Sequence, residues 1–259
     1  MRSLIRAAWR SFEMSTRLRV VSPWAYLNWL VFPVIFAAIG LFVLTSSGYA
    51  RVAYGVLGGG VIGFWSVTYL DGGNSIQEER WNGTLEQIFA VPTPLVVIVI
   101  GKILGSLLLG LLAFIPTVGL AYFGFHAVLP ALDPLRFAVS LGVLSFSFFI
   151  IAVALTPLFA ISRSAFTVLN GLELGVYGLC GFMFPVSQLP QWLQPISYAL
   201  SPTWATRALY ASATPSASGD IAGWWLASIG LSALYLVVSV ALYRFVEVRA
   251  RVSGELALA

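Results

Sequence analysis

Long apolar runs separated by short polar segments limit most strongly what this chain can fold into. A membrane-spanning helix needs about 20 predominantly apolar residues. Only 9 % of the 259 residues are charged, whereas about a quarter are charged in soluble domains. The sequence therefore predicts an all-α integral membrane protein, one domain over residues 1–259 with six transmembrane helices. The predicted spans are Trp24–Leu44, Val52–Leu70, Val96–Phe125, Leu135–Ile161, Ala165–Phe184 and Ile221–Tyr243.

The basic residues predict how these spans are oriented. Cytoplasmic loops carry an excess of Lys and Arg. Of the 14 Lys and Arg residues, only Arg51, Arg136 and Arg207 fall on one side of the predicted bundle. We therefore expect that side to be outside the cell, and both chain termini to be cytoplasmic. Pro116 and Pro157, within the long third and fourth spans, are candidate kinks because proline removes a helix hydrogen bond.

Glycines recur at a spacing of four residues in three predicted spans. Glycine faces allow helix backbones to approach closely. Packing within the chain is the first interpretation of these stripes, and contact with a second copy is the alternative. The stripes are Gly55/Gly59/Gly63, Gly101/Gly105 and Gly171/Gly175.

The N-terminal segment, residues 1–20, has helical periodicity. Leu4, Ile5 and Trp9 fall on one face, and most of the basic residues fall on the other. A basic amphipathic helix before a first span is predicted to lie in the cytoplasmic membrane interface, in contact with membrane lipid. The alternative is an unstructured basic tail that only sets the topology.

A polar island at residues 77–90, the elbow, interrupts the apolar pattern. Charged groups of this density cannot lie in hydrocarbon, so the elbow must project into water. It is acidic, although cytoplasmic loops tend to be basic, which favours a docking surface for a soluble partner. Its candidate docking residues are Glu78, Glu79, Arg80, Gly83, Thr84, Leu85 and Glu86.

One acidic residue, Glu173, lies deep in a predicted span. Asn170 and Tyr177 are one helical turn away on either side and share its face. A carboxyl group at that depth is costly and usually faces a cavity or a partner. This polar stripe is predicted to line a transport route or a subunit interface. The alternative is a protonated Glu173 that is hydrogen-bonded within the helix bundle.

The outer segment between the fifth and sixth spans, residues 185–203, is rich in proline and too interrupted to span a membrane. It is predicted to form short interfacial or re-entrant helices at the outer leaflet, with an ordinary extracellular loop as the alternative. Its candidate outer-gate residues are Pro185, Leu189, Pro190, Trp192 and Leu193.

Residues for catalysis or metal binding are not apparent. Gly101-Lys102 lacks the earlier glycine of a nucleotide-binding P-loop, and the single histidine, His126, has no Cys or carboxylate cluster beside it. The lone Cys180 excludes an internal disulfide. No basic run is dense enough for nucleic acid. We therefore expect a protein that is not an enzyme and binds no metal or cofactor itself.

Two motifs resemble the permeases of the ABC type-2 exporter family. The first is Glu-Arg-x-x-Gly-Thr-Leu-Glu at residues 79–86, followed by Pro92 or Pro94 and by Gly101-Lys102. The second is the outer Pro-x-x-x-Leu-Pro-x-Trp-Leu pattern at residues 185–193, followed by Pro202. Together with the N-terminal helix and six spans, the likeness covers nearly the whole chain.

The resemblance implies a bacterial inner-membrane permease without ATPase activity of its own. It would work with a second permease copy or a homologous permease, and with two cytoplasmic ABC ATPase subunits that bind ATP and Mg. The elbow would then be the ATPase contact, and the outer segment would close the export route. The short outer loops favour a hydrophobic or amphipathic compound, such as a drug, antibiotic or lipid. A proton-coupled secondary transporter that uses Glu173 is one alternative, and a sensory or structural membrane protein is another.

Overall fold

The computed structural model describes residues 2–44, 49–73, 77–79, 82–83, 93–126, 133–161, 171, 173–213 and 219–253. All regular structure in these ranges is helical, as the sequence predicts. The first four helices in chain order are α1 (Arg2–Val21), α2 (Pro23–Tyr26, a π-helical turn Leu27–Val31, and Phe32–Leu44), α3 (Tyr49–Ser66 and a π-helical turn Val67–Gly73) and α4 (Leu95–Leu111, Phe114–Gly119 and a π-helical turn Leu120–Gly124). They are followed by α5 (Pro134–Ile161), α6 (173–179) and a 3₁₀ turn Val186–Gln188. The last three helices are α7 (Gln194–Tyr198), α8 (Ser201–Ser212) and α9 (Ile221–Ser253).

Three helical segments within the described ranges are long and apolar enough to cross a membrane. They are Leu95–Gly124, Pro134–Pro157 and Ile221–Phe245. Leu27–Phe42 and Tyr54–Leu70 are shorter apolar helices. All five lie within or close to predicted spans, so the hydrophobic pattern located these elements correctly.

The fifth predicted span ends earlier than the sequence indicated. Helix α6 stops before Cys180, so the prediction that it continues to Phe184 is wrong. Gly181 adopts a positive φ of 73°. The Phe182 N–H then bonds the Tyr177 carbonyl at 3.1 Å, and the Gly181 N–H bonds the Gly178 carbonyl at 3.2 Å. This pair of bonds is the Schellman motif, which ends a helix at a glycine.

The two proline sites differ in their effect. In α4 the helix is interrupted at Leu112–Ala113, one turn before Pro116, and both N–H groups there make shorter-range bonds of 3.0 Å to Leu109 and Gly110. A proline ring clashes with the carbonyl four residues earlier, which explains why the interruption precedes Pro116. Helix α5, in contrast, continues through Pro157 to Ile161.

The glycine stripe of α3 packs within the chain. A Cβ atom built on Gly59 would lie 2.6 Å from the Ala37 Cβ of α2, and one built on Gly55 would lie 3.0 Å from the Leu41 backbone nitrogen. Gly63 similarly faces Pro33. These contacts confirm the first interpretation for α3. Gly171 and Gly175 differ, because no atom of the described chain lies within 4 Å of a Cβ at either position.

Aromatic side chains form the centre of the bundle. Trp65 of α3 packs against Phe148 of α5 at a ring-centroid distance of 5.0 Å and against Phe182 at 6.2 Å. Phe148 and Phe182 are fully buried, and Tyr177 of α6 is 5 % exposed. This core fixes α3, α5 and α6 against one another.

Helix α8 is a buried element that the sequence analysis did not predict. Its residues include nine buried positions from Ser201 to Ser212. The Ser201 hydroxyl is 2.7 Å from the Ser147 hydroxyl of α5. The interrupted outer segment therefore leads into a helix that is packed inside the bundle, beyond the predicted boundary at residue 203.

Helix α1 forms where the amphipathic pattern predicted a helix, and it packs on the first half of α4. The contact uses the α4 glycines, because a Cβ on Gly101 would overlap the Ala8 carbonyl oxygen and lie 2.8 Å from the Ser11 Cβ. A Cβ on Gly105 would lie 2.8 Å from the Thr16 hydroxyl oxygen. Ile5 and Trp9 are each 63 % exposed on the outside of this contact, which leaves an apolar strip available to lipid.

Spin labels on α1 are expected to distinguish lipid from water in a bilayer. Labels at Ile5 and Trp9 should be accessible to oxygen, because these positions carry the exposed apolar strip. Labels at the exposed Arg6 and Arg10 should be accessible to a water-soluble nickel complex. Electron paramagnetic resonance of the reconstituted protein measures both quantities. Equal access of the nickel complex to all four positions would contradict an interfacial location.

Candidate functional site

The elbow begins as a helical turn. Residues 77–79 are helical, and the Asn82 N–H bonds the Glu78 carbonyl at 2.9 Å. Gly83 follows with a φ of 68°, a left-handed conformation that glycine adopts without strain. Asn82 and Gly83 are exposed. Four predicted docking residues, Arg80, Thr84, Leu85 and Glu86, lie outside the described residues.

The two described acids of the elbow pair with basic residues of two different helices. Glu78 forms an ion pair of 3.6 Å with Arg19 of α1. Glu79 forms an ion pair with Lys102 of α4. Arg19 also donates a hydrogen bond of 3.2 Å from Nε to the Ser15 hydroxyl. We call Arg19, Glu78, Glu79 and Lys102 the junction, because they connect the elbow to α1 and to α4.

The junction is more buried than a typical surface ion pair. The side chains of Arg19 and Lys102 are 9 % and 15 % exposed, and that of Glu79 is 23 % exposed. Exposed pairs contribute little because water and salt screen them, whereas removal of one partner from a buried pair leaves a poorly solvated charge. The Glu79–Lys102 pair therefore holds the elbow on α4. Of the two described elbow acids, the half-exposed Glu78 is the more available to a partner.

The sequence pattern identified the elbow acids but not their partners. It placed Glu78 and Glu79 in water, where they were expected to meet a soluble protein. The structure instead brings them to Arg19 and Lys102. A useful signal was the position of these two basic residues, since both lie at predicted cytoplasmic ends of apolar segments.

Glu173 lies in a compact hydrogen-bonded triangle between α3 and α6. The Ser66 hydroxyl is 2.8 Å from Glu173 Oε1 and 2.6 Å from the Tyr177 hydroxyl. Tyr177 also contacts Glu173 Oε1. The Ser66 and Tyr177 hydroxyls can each donate to the Glu173 carboxyl oxygen. Glu173 is therefore hydrogen-bonded within the bundle, which is one part of the predicted alternative, and a proton on its carboxyl group stays a prediction.

The structure also places Glu173 at the wall of a cavity of about 360 Å³. The predicted polar stripe is thus only partly described: Tyr177 joins Glu173, Ser66 is an additional member, and Asn170 lies outside the described residues. The cavity is lined by residues of α3, α5, α6, α9 and the start of α8. Its lining residues are Trp65, Tyr69, Ile151, Ala154, Leu155, Glu173, Val176, Cys180, Leu200, Pro202, Tyr235, Val238 and Leu242.

The predicted outer-gate residues lie in and around the 3₁₀ turn Val186–Gln188 and in the turn that precedes α7. The Leu193 N–H bonds the Pro190 carbonyl at 2.9 Å, and Gln194 Nε2 donates to the Leu189 carbonyl at 2.9 Å. Trp192 is 72 % exposed. Pro185, Leu189 and Leu193 are partly buried, and Pro190 is exposed.

Arg207 of α8 is an additional candidate that the sequence analysis left unassigned. Its guanidinium carbon lies 4.4 Å from the centre of the Trp224 ring, a cation–π distance. It also lines a smaller cavity of about 230 Å³ together with Tyr54 and Tyr210. Elsewhere in the described ranges, no group of three or more His, Cys, Asp or Glu residues could hold a metal ion.

A comparison with protein families decides the assignment. The family described as ABC-2 family transporter protein matches residues 45–243, which is most of the chain. This chain belongs to the ABC-2 transporter family. It is an ABC-2 type permease and a multi-pass membrane protein. No curated protein sequence matches the chain. ABC-2 permeases are membrane components of transporters, generally without catalytic activity, and the family implies association with an ABC ATPase.

Proposed function

We propose that this ABC-2 permease is the transmembrane subunit of an ATP-driven exporter of a hydrophobic or amphipathic compound, such as a drug, antibiotic or lipid. Two permease copies, or this chain and a homologous permease, would assemble with two ATPase subunits that bind ATP and Mg. The assembly would lie in a bacterial inner membrane with both permease termini in the cytoplasm.

The junction is the observation that carries this proposal. Glu79 connects the elbow to α4, and Glu78 connects it to α1. A soluble ATPase that moves the elbow therefore pulls on two helices at once. Coupling of this kind requires the ATPase to contact the elbow differently in its open and closed states. Glu78 and Gly83, with Arg80, Thr84, Leu85 and Glu86, are the proposed contact residues.

The cavity supports the proposed substrate class. Its walls are largely apolar side chains, and its volume falls within the usual range for small-molecule sites. We place the substrate route beside Glu173 and Tyr177, and Asn170 is a further proposed member of that route. Pro185, Leu189, Pro190, Trp192 and Leu193 are the proposed outer gate.

Reconstitution with the ATPase that co-purifies with this chain tests the function. Inside-out proteoliposomes should accumulate a hydrophobic compound only when ATP is supplied, and an ATPase variant that binds but cannot hydrolyse ATP should abolish the accumulation. Accumulation that follows a proton gradient without ATP would instead favour a secondary transporter that uses Glu173. Unchanged flux of every compound after deletion of the chain would favour a sensory or structural role.

Cross-linking the outer segment is expected to block export. Gln191 is exposed beside Trp192, so a cysteine introduced there, Gln191→Cys, can reach the same position of a second permease copy if the two segments meet above the route. The cross-linked transporter should lose most of its export and keep ATP binding. Reduction of the cross-link should restore export. Normal export by the cross-linked protein would show that the gate lies elsewhere.

A further inference from the structure

The cavity beside Glu173 combines apolar walls with a single carboxyl group. Glu173 is the only Asp, Glu, Lys, Arg or His residue among the described residues that line it. On the opposite sides, α5 contributes Ile151 and Leu155, and α9 contributes Val238. A carboxyl group in such surroundings is expensive unless it meets a partner of opposite charge or keeps its proton.

A second feature of the cavity favours an aromatic ligand. Trp65 lines the cavity and stacks on Tyr69 at a ring-centroid distance of 5.1 Å, and Tyr69 lines the cavity as well. The two rings offer an aromatic wall to a ligand.

The position of the cavity favours a ligand that comes from lipid. Val238, at the cavity wall, is 50 % exposed on α9, and its neighbour Val237 is 69 % exposed. The cavity therefore approaches the apolar outer surface of the bundle. A compound that reaches this surface through the bilayer must be predominantly apolar and is most permeable in its uncharged form.

We propose that this cavity binds a hydrophobic amine, an apolar aromatic compound with one basic nitrogen. The inference rests on the proposed export function and defines its substrate class. The neutral amine enters, and the proton of the Glu173 carboxyl group passes to the amine nitrogen. The products are a carboxylate and an ammonium group in contact, so the proton is conserved and no net charge enters the cavity. Ser66 and Tyr177 remain as donors to the carboxylate.

Binding of two matched compounds to the purified full-length permease in nanodiscs tests the proposal. Diphenhydramine carries two phenyl rings, an ether oxygen and a tertiary amine. In its neutral isostere a CH group replaces the amine nitrogen. Wild-type protein should bind the amine saturably and about tenfold or more tightly than the isostere, since a partly buried charge pair adds more than 1.4 kcal/mol. Saturable binding of neither compound, or equal binding of both, would overturn the proposal.

Three variants locate the site and separate its parts. Glu173→Gln should weaken the binding of diphenhydramine about tenfold and leave the binding of the isostere unchanged. Trp65→Phe should weaken the binding of both ethers alike, because both lose part of the aromatic wall. Ala154→Phe, which fills the cavity from α5, should abolish both. Undiminished binding of the amine by either Glu173→Gln or Ala154→Phe would overturn the assignment, as would equal loss of both compounds in Glu173→Gln.

A control variant shows whether the effect of Glu173→Gln is specific to its site, and the assay without ATPase separates amine binding from export. Asp133→Asn makes the same acid-to-amide change at an exposed residue at the start of α5, and it should bind both compounds like wild type. Each variant should also elute as the wild-type protein does in size-exclusion chromatography. Because neither ATP nor ATPase is present, failure of ATP-driven export does not affect this measurement. Conversely, the wild-type permease could bind no amine and still export another compound with ATP. That result would overturn the amine site and leave the proposed export function intact.

Discussion

Reversing the charge of Glu79, by Glu79→Lys, is expected to abolish ATP-driven export while the protein still inserts into the membrane. The change places two ammonium groups in contact, because Lys102 already occupies the other side of the pair. Loss of one partner from a fully buried ion pair is unfavourable by about 3–5 kcal/mol, and the loss is smaller here because Glu79 is partly exposed. The elbow should move away from α4, so that ATP hydrolysis continues without export. Paired measurements of ATP hydrolysis and transport in proteoliposomes give the amount of compound exported per ATP hydrolysed.

The charge-swapped double variant, Glu79→Lys with Lys102→Glu, shows what Glu79 does. If Glu79 acts by holding the elbow on α4, the swap should restore most of the coupling. If Glu79 instead contacts the ATPase directly, the swap should remain uncoupled and the ATPase should co-purify poorly. Glu13→Lys is the matched control, because Glu13 forms an exposed i,i+4 pair with Arg17 that contributes little. Normal coupling in the single variant Glu79→Lys would contradict both roles.

Local rules were sufficient to predict most of the helices from the sequence. Apolar runs of membrane-spanning length located α4, α5 and α9, and the position of Pro116 predicted the break in α4. The glycine stripe of α3 was also predictable as a close-packing face. In each case the cause lies within one element: a hydrophobic length, a missing N–H or a missing side chain.

Contacts between distant segments were not predictable from these rules. The sequence indicated that Glu78 and Glu79 face water. It places Arg19 and Lys102 near predicted cytoplasmic ends of apolar segments, but it does not show that they approach these acids. The Gly101 stripe suggested a close helix contact, yet only the structure identifies α1 as the partner. Periodicity shows which face of a helix is special, and it does not show which element covers that face.

Helix α8 shows a different limit of sequence analysis. With 12 residues it is too short for a membrane span, and Ser201, Thr203 and Thr206 give its sequence the polarity typical of a loop. These side chains are nevertheless buried, and Ser201 bonds a serine of α5. Pro202 in the first helical turn was the available signal, because proline is favoured at that position. A helix whose buried face includes several polar side chains is not visible in a hydrophobicity pattern.

Gly58→Ala is expected to destabilise the bundle, although alanine is the better helix former. A Cβ at this position of α3 would lie 2.5 Å from the carbonyl oxygen of Phe182, a backbone atom in the turn that ends α6. The same oxygen accepts a hydrogen bond of 2.6 Å from the buried Tyr210 hydroxyl. Relief of the clash therefore requires this turn and α8 to shift together.

The sizes of the opposing free-energy contributions show why Gly58→Ala should lower the stability of the folded protein. Replacement of glycine by alanine in a helix favours folding by about 0.5–1 kcal/mol. Overpacking of a core is unfavourable by about 1–3 kcal/mol, and weakening of the buried Tyr210 hydrogen bond by about 1 kcal/mol more. The balance lowers the thermal transition temperature, as measured by fluorescence of the protein in detergent. Gly142→Ala in α5 is the matched control, since no described atom beyond its chain neighbours and its own helix backbone lies within 4 Å of its Cβ. Its transition temperature should stay the same or rise. A Gly58→Ala protein as stable as Gly142→Ala would mean that α3 does not press on the turn that ends α6.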